Sequence, residues 1–309
     1  MSVIILKIKG SELKFFDNFA YSTQIDSGSS SISFSSFQDL ETFGYVKIEA
    51  YKDEVLIFTG EVINKNIPES IPPKPFIYKA ESLPHILFES TLPVTAYPLQ
   101  LENSTLKDIV EYICSFFDVT VLFDQSAETE AGSTYEISNL DFTKKAGELI
   151  NDLVTNTGAI LTHNSLGQLI ITNSIEQSEL LLPRYISNNK SFDLKKFFHN
   201  YIALGQAPIG NDADIQAIAT FENIDSRRNI TKIQNSGGID AIEKKAIGMR
   251  SDSLKSIQHN LSFDNFFCNV GDFIKLGDLK LIINKLDYSY NASGEKASIS
   301  LIDSQIYER

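Results

Sequence analysis

The sequence predicts an α+β protein in which β-rich segments at both ends enclose a small unit of alternating helices and strands. Three observations carry this prediction. Apolar and polar residues alternate with a period of two in stretches such as Tyr45–Tyr51 near the start and Ala297–Ile302 near the end. Apolar residues recur at helical spacing through Leu106, Ile109, Val110, Ile113 and Phe117, and again through Ala146, Leu149, Ile150, Leu153 and Val154. Charge follows the same division, with net −4 over residues 1–97, net −10 over 98–180 and net +1 over 181–309.

Taken in order, residues 2–9 alternate weakly and predict a strand. Residues 31–37 alternate and then slip by one position, which predicts a half-buried strand with a bulge. Tyr45–Tyr51 and Val55–Val62 flank Lys52-Asp53-Glu54 and predict a hairpin with a charged turn. Four prolines in residues 67–75 exclude a central strand there, and Phe76–Ala80 is the next strand. Closely spaced strands over residues 1–97 predict a small barrel or sandwich.

The character changes at Leu99. Ser104 or Thr105 caps a helix running to Phe117, Asp118–Phe123 is a short strand, and residues 124–134 read as an exposed acidic loop. Thr143 caps a second helix that Gly158 ends, and Ala159–Thr162 pairs with Gln168–Thr172 in a hairpin. Beyond Leu180 the sequence predicts a strand at Tyr201–Leu204, an exposed loop over 205–217, and a helix over 239–257 with Ile239, Ile242, Ala246, Met249 and Leu254 inward. The end reads as strands around Asn269–Leu276, Leu279–Ile283, Leu286–Tyr290 and Ala297–Ile302.

Composition narrows the function. The chain has 309 residues and a formal net charge of −13, against the basic footprint of a tight nucleic-acid binder. Two cysteines, Cys114 and Cys268, make no disulfide framework. No apolar run reaches the ~20 residues of a membrane helix, and the N-terminal stretch lacks the basic flank and cleavage site of a signal peptide. Direct membrane insertion is therefore not expected.

A search for chemistry assigns no catalytic, cofactor-binding or metal-ligating residue. The sequence holds no phosphate-binding glycine loop, zinc-protease motif or nucleophile elbow. His85, His163, His199 and His259 lie in four unrelated segments, and Cys114 sits on the apolar side of a helix. Cys268 with His259 lacks a third member of a triad. Asp124, Ser126, Glu128 and Glu130 alternate oxygen ligands without the glycine and terminal glutamate of a calcium loop. Asp212 and Asp214 fit turn chemistry.

The order of parts is more informative than any motif. Leu106–Val121, with its helix running into Asp-Val-Thr-Val, resembles the baseplate hub proteins of Mu-like contractile-tailed phages. So do Ala146–Thr172 and Ile283–Tyr307, the latter with the tip Asn291-Ala292-Ser293-Gly294. The resemblance implies two tube-like β barrels plus a small α+β domain, in a chain that forms a ring as a homotrimer. It implies a first barrel over 1–97, an α+β domain over 98–178 with 236–265 packed on it, and a second, split barrel within 179–309. It further implies a virion protein made in the bacterial cytoplasm. Its partners would be a trimeric central spike, the tail tube and other baseplate proteins. The acidic segment 98–180 is expected on exposed surface away from subunit contacts. The hub would belong to a contractile phage tail or to a related bacteriocin or injection particle, and two alternatives remain open: a carbohydrate-binding receptor module and a tail-associated cell-wall hydrolase.

Overall fold

The structure is a computed structural model describing residues 3–40, 45–69, 74–96, 104–124, 127, 143–157, 159–175, 178–205, 216–222, 224–233, 238–276 and 279–307. The N-terminal part contributes β1 (Ile4–Ile8), β2 (Ser11–Glu12), β3 (Asp17–Gln24), β4 (Ser31–Ser36), β5 (Val46–Lys52), β6 (Val55–Asn66) and β7 (Phe76–Ser82). The middle contributes α1 (His85–Glu89), α2 (Leu106–Ser115), β8 (Val121–Phe123), α3 (Ala146–Thr157), β9 (Ile160–His163) and β10 (Leu169–Thr172). Then come β11 (Ser187–Phe192), β12 (Asn200–Leu204), β13 (Gln216–Thr220), β14 (Asn229–Ile233) and α4 (Gly238–Leu254). The chain closes with β15 (Ile257–Asp264), β16 (Phe273–Leu276), β17 (Leu279–Asn291) and β18 (Gly294–Asp303).

The two β-rich ends form one sheet of 12 strands, in the order β11-β15-β18-β17-β3-β4-β7-β6-β5-β1-β2, with β16 paired to β17. Strand β3, which the sequence reading did not identify, is the joint: it pairs β17 through Tyr21 and Tyr288 on one side and β4 on the other. Among the described residues no ladder closes either half on itself. One core lies across the joint, with Leu6, Phe34 and Phe58 from the first half in the same cluster as Phe263, Leu286 and Leu301 from the second.

Local chemistry explains several departures from the sequence expectation. The phase slip at residues 31–37 is not a bulge in β4. The extra residue lies in β3, between Asp17 and Ala20, where Asn18 takes a left-handed φ of 53°. Ser35 and Ser36 are buried because their hydroxyls donate to the carbonyls of Asp17 (3.0 Å) and Phe15 (2.6 Å). The β5–β6 turn narrows to Asp53-Glu54, both at positive φ, so Lys52 belongs to the strand. Leu279–Asn291 is one strand rather than two, with a register shift beside Asn284.

The middle unit follows the predicted pattern closely. Thr105 caps α2 reciprocally with Asp108, and Leu106, Ile109, Val110 and Ile113 are buried. Helix α3 starts at Ala146, so Thr143 is not its cap, and the stripe from Ala146 to Val154 is buried as expected. Strand β10 pairs antiparallel with β9 and parallel with β8. Gly158 and, apart from Asp124 and Ala127, the loop 124–134 lie outside the described residues.

The segment assigned to the second barrel divides differently. Strands β12, β13 and β14 make a separate three-stranded sheet. Its Tyr201, Ala203 and Ala219 pack on Ile242 and Ala246 of α4. In the stretch 236–265, α4 covers this small sheet and also lies against α3 of the middle unit, while β15 joins the large sheet between β11 and β18. Ile239, expected inward, is exposed.

Candidate functional site

The residues weighed for chemistry are dispersed and occupied by structural bonds. His85 is buried with Nδ1 3.1 Å from the carbonyl of Ser82, His163 donates to the carbonyl of Ser27 (2.8 Å), and His199 to that of Ile224 (2.8 Å). His259 faces Leu301 and Lys190 on β15. Cys114 and Cys268 are buried, and burial pushes both thiols up to about 12, away from the reactive thiolate. The Asp124 carboxylate accepts from Ala127 N (2.7 Å) and from the Thr172 hydroxyl, which makes it a loop clasp. Asp212 and Asp214, like Ser126, Glu128 and Glu130, lie outside the described residues. Among the described residues no group of three or more His, Cys, Asp or Glu could hold a metal ion.

Two polar clusters, one buried and one partly exposed, that pattern reading could not reveal lock distant parts together. Lys52 of β5 lies 3.4 Å from the Glu295 carboxylate of β18, which also accepts from the Tyr288 hydroxyl (2.9 Å). Lys52 and Glu295 are both buried, so the pair ties the two halves of the sheet across the core. Near the other end, Lys255 lies 2.5 Å from Asp26 and 3.0 Å from Asp252, while the Tyr307 hydroxyl donates to Asp26 (2.8 Å). Burial by itself would lower the Lys255 pKa, but the two carboxylates outweigh it and raise the value. Both clusters join segments more than 200 residues apart, a separation that leaves no local signal.

The surface features suit assembly better than catalysis. Each end of the large sheet presents an edge strand. At one end β11 is exposed on both faces, flanked by exposed Ile186 and Leu194. At the other, β2 is only two residues long, and Phe15 shortly after it is exposed. Among the described residues neither edge strand pairs further, and such edges offer hydrogen-bonding groups to another chain. Between the ends, the face opposite the core forms a groove of about 1190 Å³ across β7, β4, β3, β17, β18 and β15. Small polar groups line it, including Ser22, Ser33, Ser289 and Ser298, and no histidine or cysteine does. The Ser22 hydroxyl donates to Asp287 (2.6 Å), which engages one of its carboxylates.

An open sheet of two β-rich halves, with a helical unit inserted between them and no assembled catalytic group among the described residues, has the fold of phage tail proteins. The structure superposes on the 43 kDa tail protein of prophage MuSo2 from Shewanella oneidensis with a TM-score of 0.80 and 16% identity, covering 99% of each chain. A tail protein from Neisseria meningitidis gives 0.79 and 12%, covering 99% of this chain and 98% of that one. An E. coli component of the type VI secretion system, itself structurally similar to the T4 bacteriophage tail proteins gp27 and gp5, gives 0.58 and 11%, covering 96% and 76%. No protein-family model and no curated protein sequence matches the chain. The resemblance read from residues 106–121, 146–172 and 283–307 is borne out, and at these identities the likeness is one of fold.

Proposed function

We propose that this chain is a structural protein of a phage tail, and within the tail a baseplate hub that joins the tail tube to a central spike. The observation that carries the reading is the superposition of nearly the whole chain on two phage tail proteins. In this reading three copies form a ring. Residues 1–97 and the large-sheet strands of 179–309 supply two tube-like β units per chain, and residues 98–178 form an outer α+β domain. Six β units seat on a sixfold tube, and threefold symmetry faces a trimeric spike. The bare edges at β11 and β2 favour closure by a repeated contact between chains. The serine-lined concave face lines the lumen, where it offers no charge of one sign to hold a passing polymer. The role is structural rather than enzymatic, in the virion baseplate after synthesis in the bacterial cytoplasm.

Light scattering behind a sizing column tests the ring. The expected mass is three times the 34.5 kDa of one chain, and electron microscopy of the same fraction should show rings. A chain that stays monomeric at high concentration and raised salt, where charge repulsion is screened, overturns the hub.

A further inference from the structure

Among the described residues the first half of the large sheet (β1 to β7) is hydrogen-bonded to the second (β11 and β15 to β18) through one ladder, β3 against β17. The bonds of a ladder run between main-chain groups that every residue carries, so they do not choose a register. Inward-facing Phe19, Tyr21 and Thr23 of β3 lie opposite Tyr290, Tyr288 and Leu286 of β17. A slip of two residues, about 7 Å along the strands, keeps these side chains inward and still sets apolar groups against one another. It would put a step of the same size into the groove that crosses the joint.

Two ion pairs span the same joint with opposite polarity. In one the first half supplies the cation. Lys52 of β5 meets Glu295 of β18 at 3.4 Å and lies 5.6 Å from the ring centroids of Phe267 and Tyr288, all three from the second half. Asp53, its neighbour in sequence, holds Lys52 at 2.9 Å and would do so in any register, so the selective group is Glu295. In the other pair the first half supplies the anion. Asp26, just past β3, meets Lys255, just ahead of β15, at 2.5 Å, and the Tyr307 hydroxyl beyond β18 donates to Asp26 (2.8 Å). A slip of about 7 Å takes both pairs out of bonding distance together. It parts Lys52 from Glu295 at positions that are buried, where separated charges are strongly disfavoured.

We propose that these two pairs select the register in which the halves join, and through it the shape of the groove, rather than adding to stability. Apolar groups of similar size commonly match or better a buried ion pair in stability, because leaving water costs the charges about as much as their attraction returns. Position is what apolar groups do not supply. Their contacts recur in the neighbouring register, whereas an ion pair is satisfied in one. Two pairs of opposite sense, at two places on the joint, fix the placement of one half along the other independently of the ladder.

The test refolds full-length chains from urea under reducing conditions, then oxidises them mildly and identifies the disulfide by mass spectrometry of a digest. Cys114 and Cys268 are buried in the folded chain, out of reach of the oxidant. Ser22 and Asp287 are cross-strand partners whose side chains meet at 2.6 Å, so cysteines at 22 and 287 close in the native register. Cysteines at 22 and 285, or at 22 and 289, stand about 7–8 Å apart there, too far to close, and come opposite one another after a slip of two. With the ion pairs intact only the 22–287 disulfide should form. Lys52→Met with Glu295→Gln and Asp26→Asn with Lys255→Met, combined in one chain, should raise the 22–285 and 22–289 products at least ~10-fold. The amides at 295 and 26 still accept from the Tyr288 and Tyr307 hydroxyls, so the urea midpoint should stay within about 0.5 M of the unaltered chain. Lys52→Glu with Glu295→Lys, which reverses one pair, should keep the native disulfide alone. A fourfold variant that forms only the native disulfide, or whose urea midpoint collapses, shows that the pairs do not select register but at most support stability, and overturns the proposal. Slipped products in the charge-exchanged chain overturn the ion pair as the selecting group.

Discussion

Two helix-and-sheet units accompany the large sheet, and they bury themselves to different degrees. In the first, α2 and α3 cover β8, β10 and β9, and its cluster includes Ile109, Ile113, Leu149, Ile150 and Leu169, each at most 2% exposed. In the second, α4 covers one face of β13-β12-β14, and its cluster is five buried residues, three of them alanines. The first unit has a core of its own. Among the described residues the second is covered on one face, with Ile218 and Ile233 half-exposed on the other. A unit with a complete core is stable by itself, whereas a half-covered sheet draws its remaining stability from whatever is placed against it.

The sharpest way to break this comparison is to cut each unit at one apolar side chain. Leu149→Ala should cost about 2–5 kcal/mol, because it leaves a cavity in the buried cluster that packed helices fill only in part. Ile218→Ala should change the stability of the isolated chain by no more than ~0.5 kcal/mol, since half of Ile218 is already in water. Urea unfolding of both variants at low protein concentration measures the difference. Similar costs would show that the two units are sealed alike.

The first unit is also keyed into its surroundings, through Phe88 of α1. A methyl group at Gly147 would stand 2.5 Å from the Phe88 ring, and Gly28 closes on the ring from the other side. Gly147→Ala gains roughly 1 kcal/mol of helix propensity but displaces a ring with nowhere to go, at about 1–3 kcal/mol. The net expectation is a loss of up to about 2 kcal/mol in thermal or urea unfolding. A stabilised variant would show that Phe88 is free to swing.

The same contrast decided what was legible in the sequence. The first unit could be read because its signals are local: the Thr105–Asp108 box, the stripe from Ala146 to Val154, and the hairpin around Gly167, which sits at a φ of 75°. The second was read only at β12 and α4. Strands β13 and β14 are short and flank segments rich in Gly, Asn and Asp, and their alternation is interrupted by exposed Ile218 and Ile233. In the large sheet β3 was missed because its residues alternate through Phe19, Tyr21 and Thr23, and a buried threonine breaks the apolar period. β11, exposed on both faces, carries no period at all. Both ion clusters depend on partners far apart in the chain, and so do the paired edges of the proposed ring, which no local pattern encodes.

How much of the first unit's advantage is local can be measured at its cap. The Thr105 hydroxyl accepts from the Asp108 amide (3.1 Å), and the Asp108 carboxylate accepts from the Thr105 amide (3.0 Å). Those bonds hold the Asp108 carboxyl below its ordinary pKa, the Thr105 hydroxyl contributing most. Thr105→Ala should lose about 1 kcal/mol at neutral pH. Thr105→Ser, which keeps the acceptor, should lose much less in the same unfolding assay. Equal losses would assign the effect to the Thr105 methyl rather than to the cap.

The smallest expected effect lies where the first unit meets the large sheet. His163, at the end of β9, donates from Nδ1 to the carbonyl of Ser27, 136 positions away. Burial lowers its pKa from the ordinary 6.5, and the bond to Ser27 offsets only part of that shift. A histidine held neutral in the folded chain binds its proton more readily once unfolded. The stability it confers is therefore complete above about pH 6.5, declines as pH falls toward the depressed folded value, and declines no further below that. His259 shifts the same way, from burial first and Lys190 second, but sits closer to solvent, so its share is smaller. His163→Asn keeps a donor near the same place and removes the titration. Chemical unfolding of both proteins at intervals between pH 7.5 and about 5 should give a shallower decline for the variant. Parallel curves would mean that the imidazole takes up its proton as readily in the folded chain as in the unfolded one, and that the contact between this unit and the sheet is open to water.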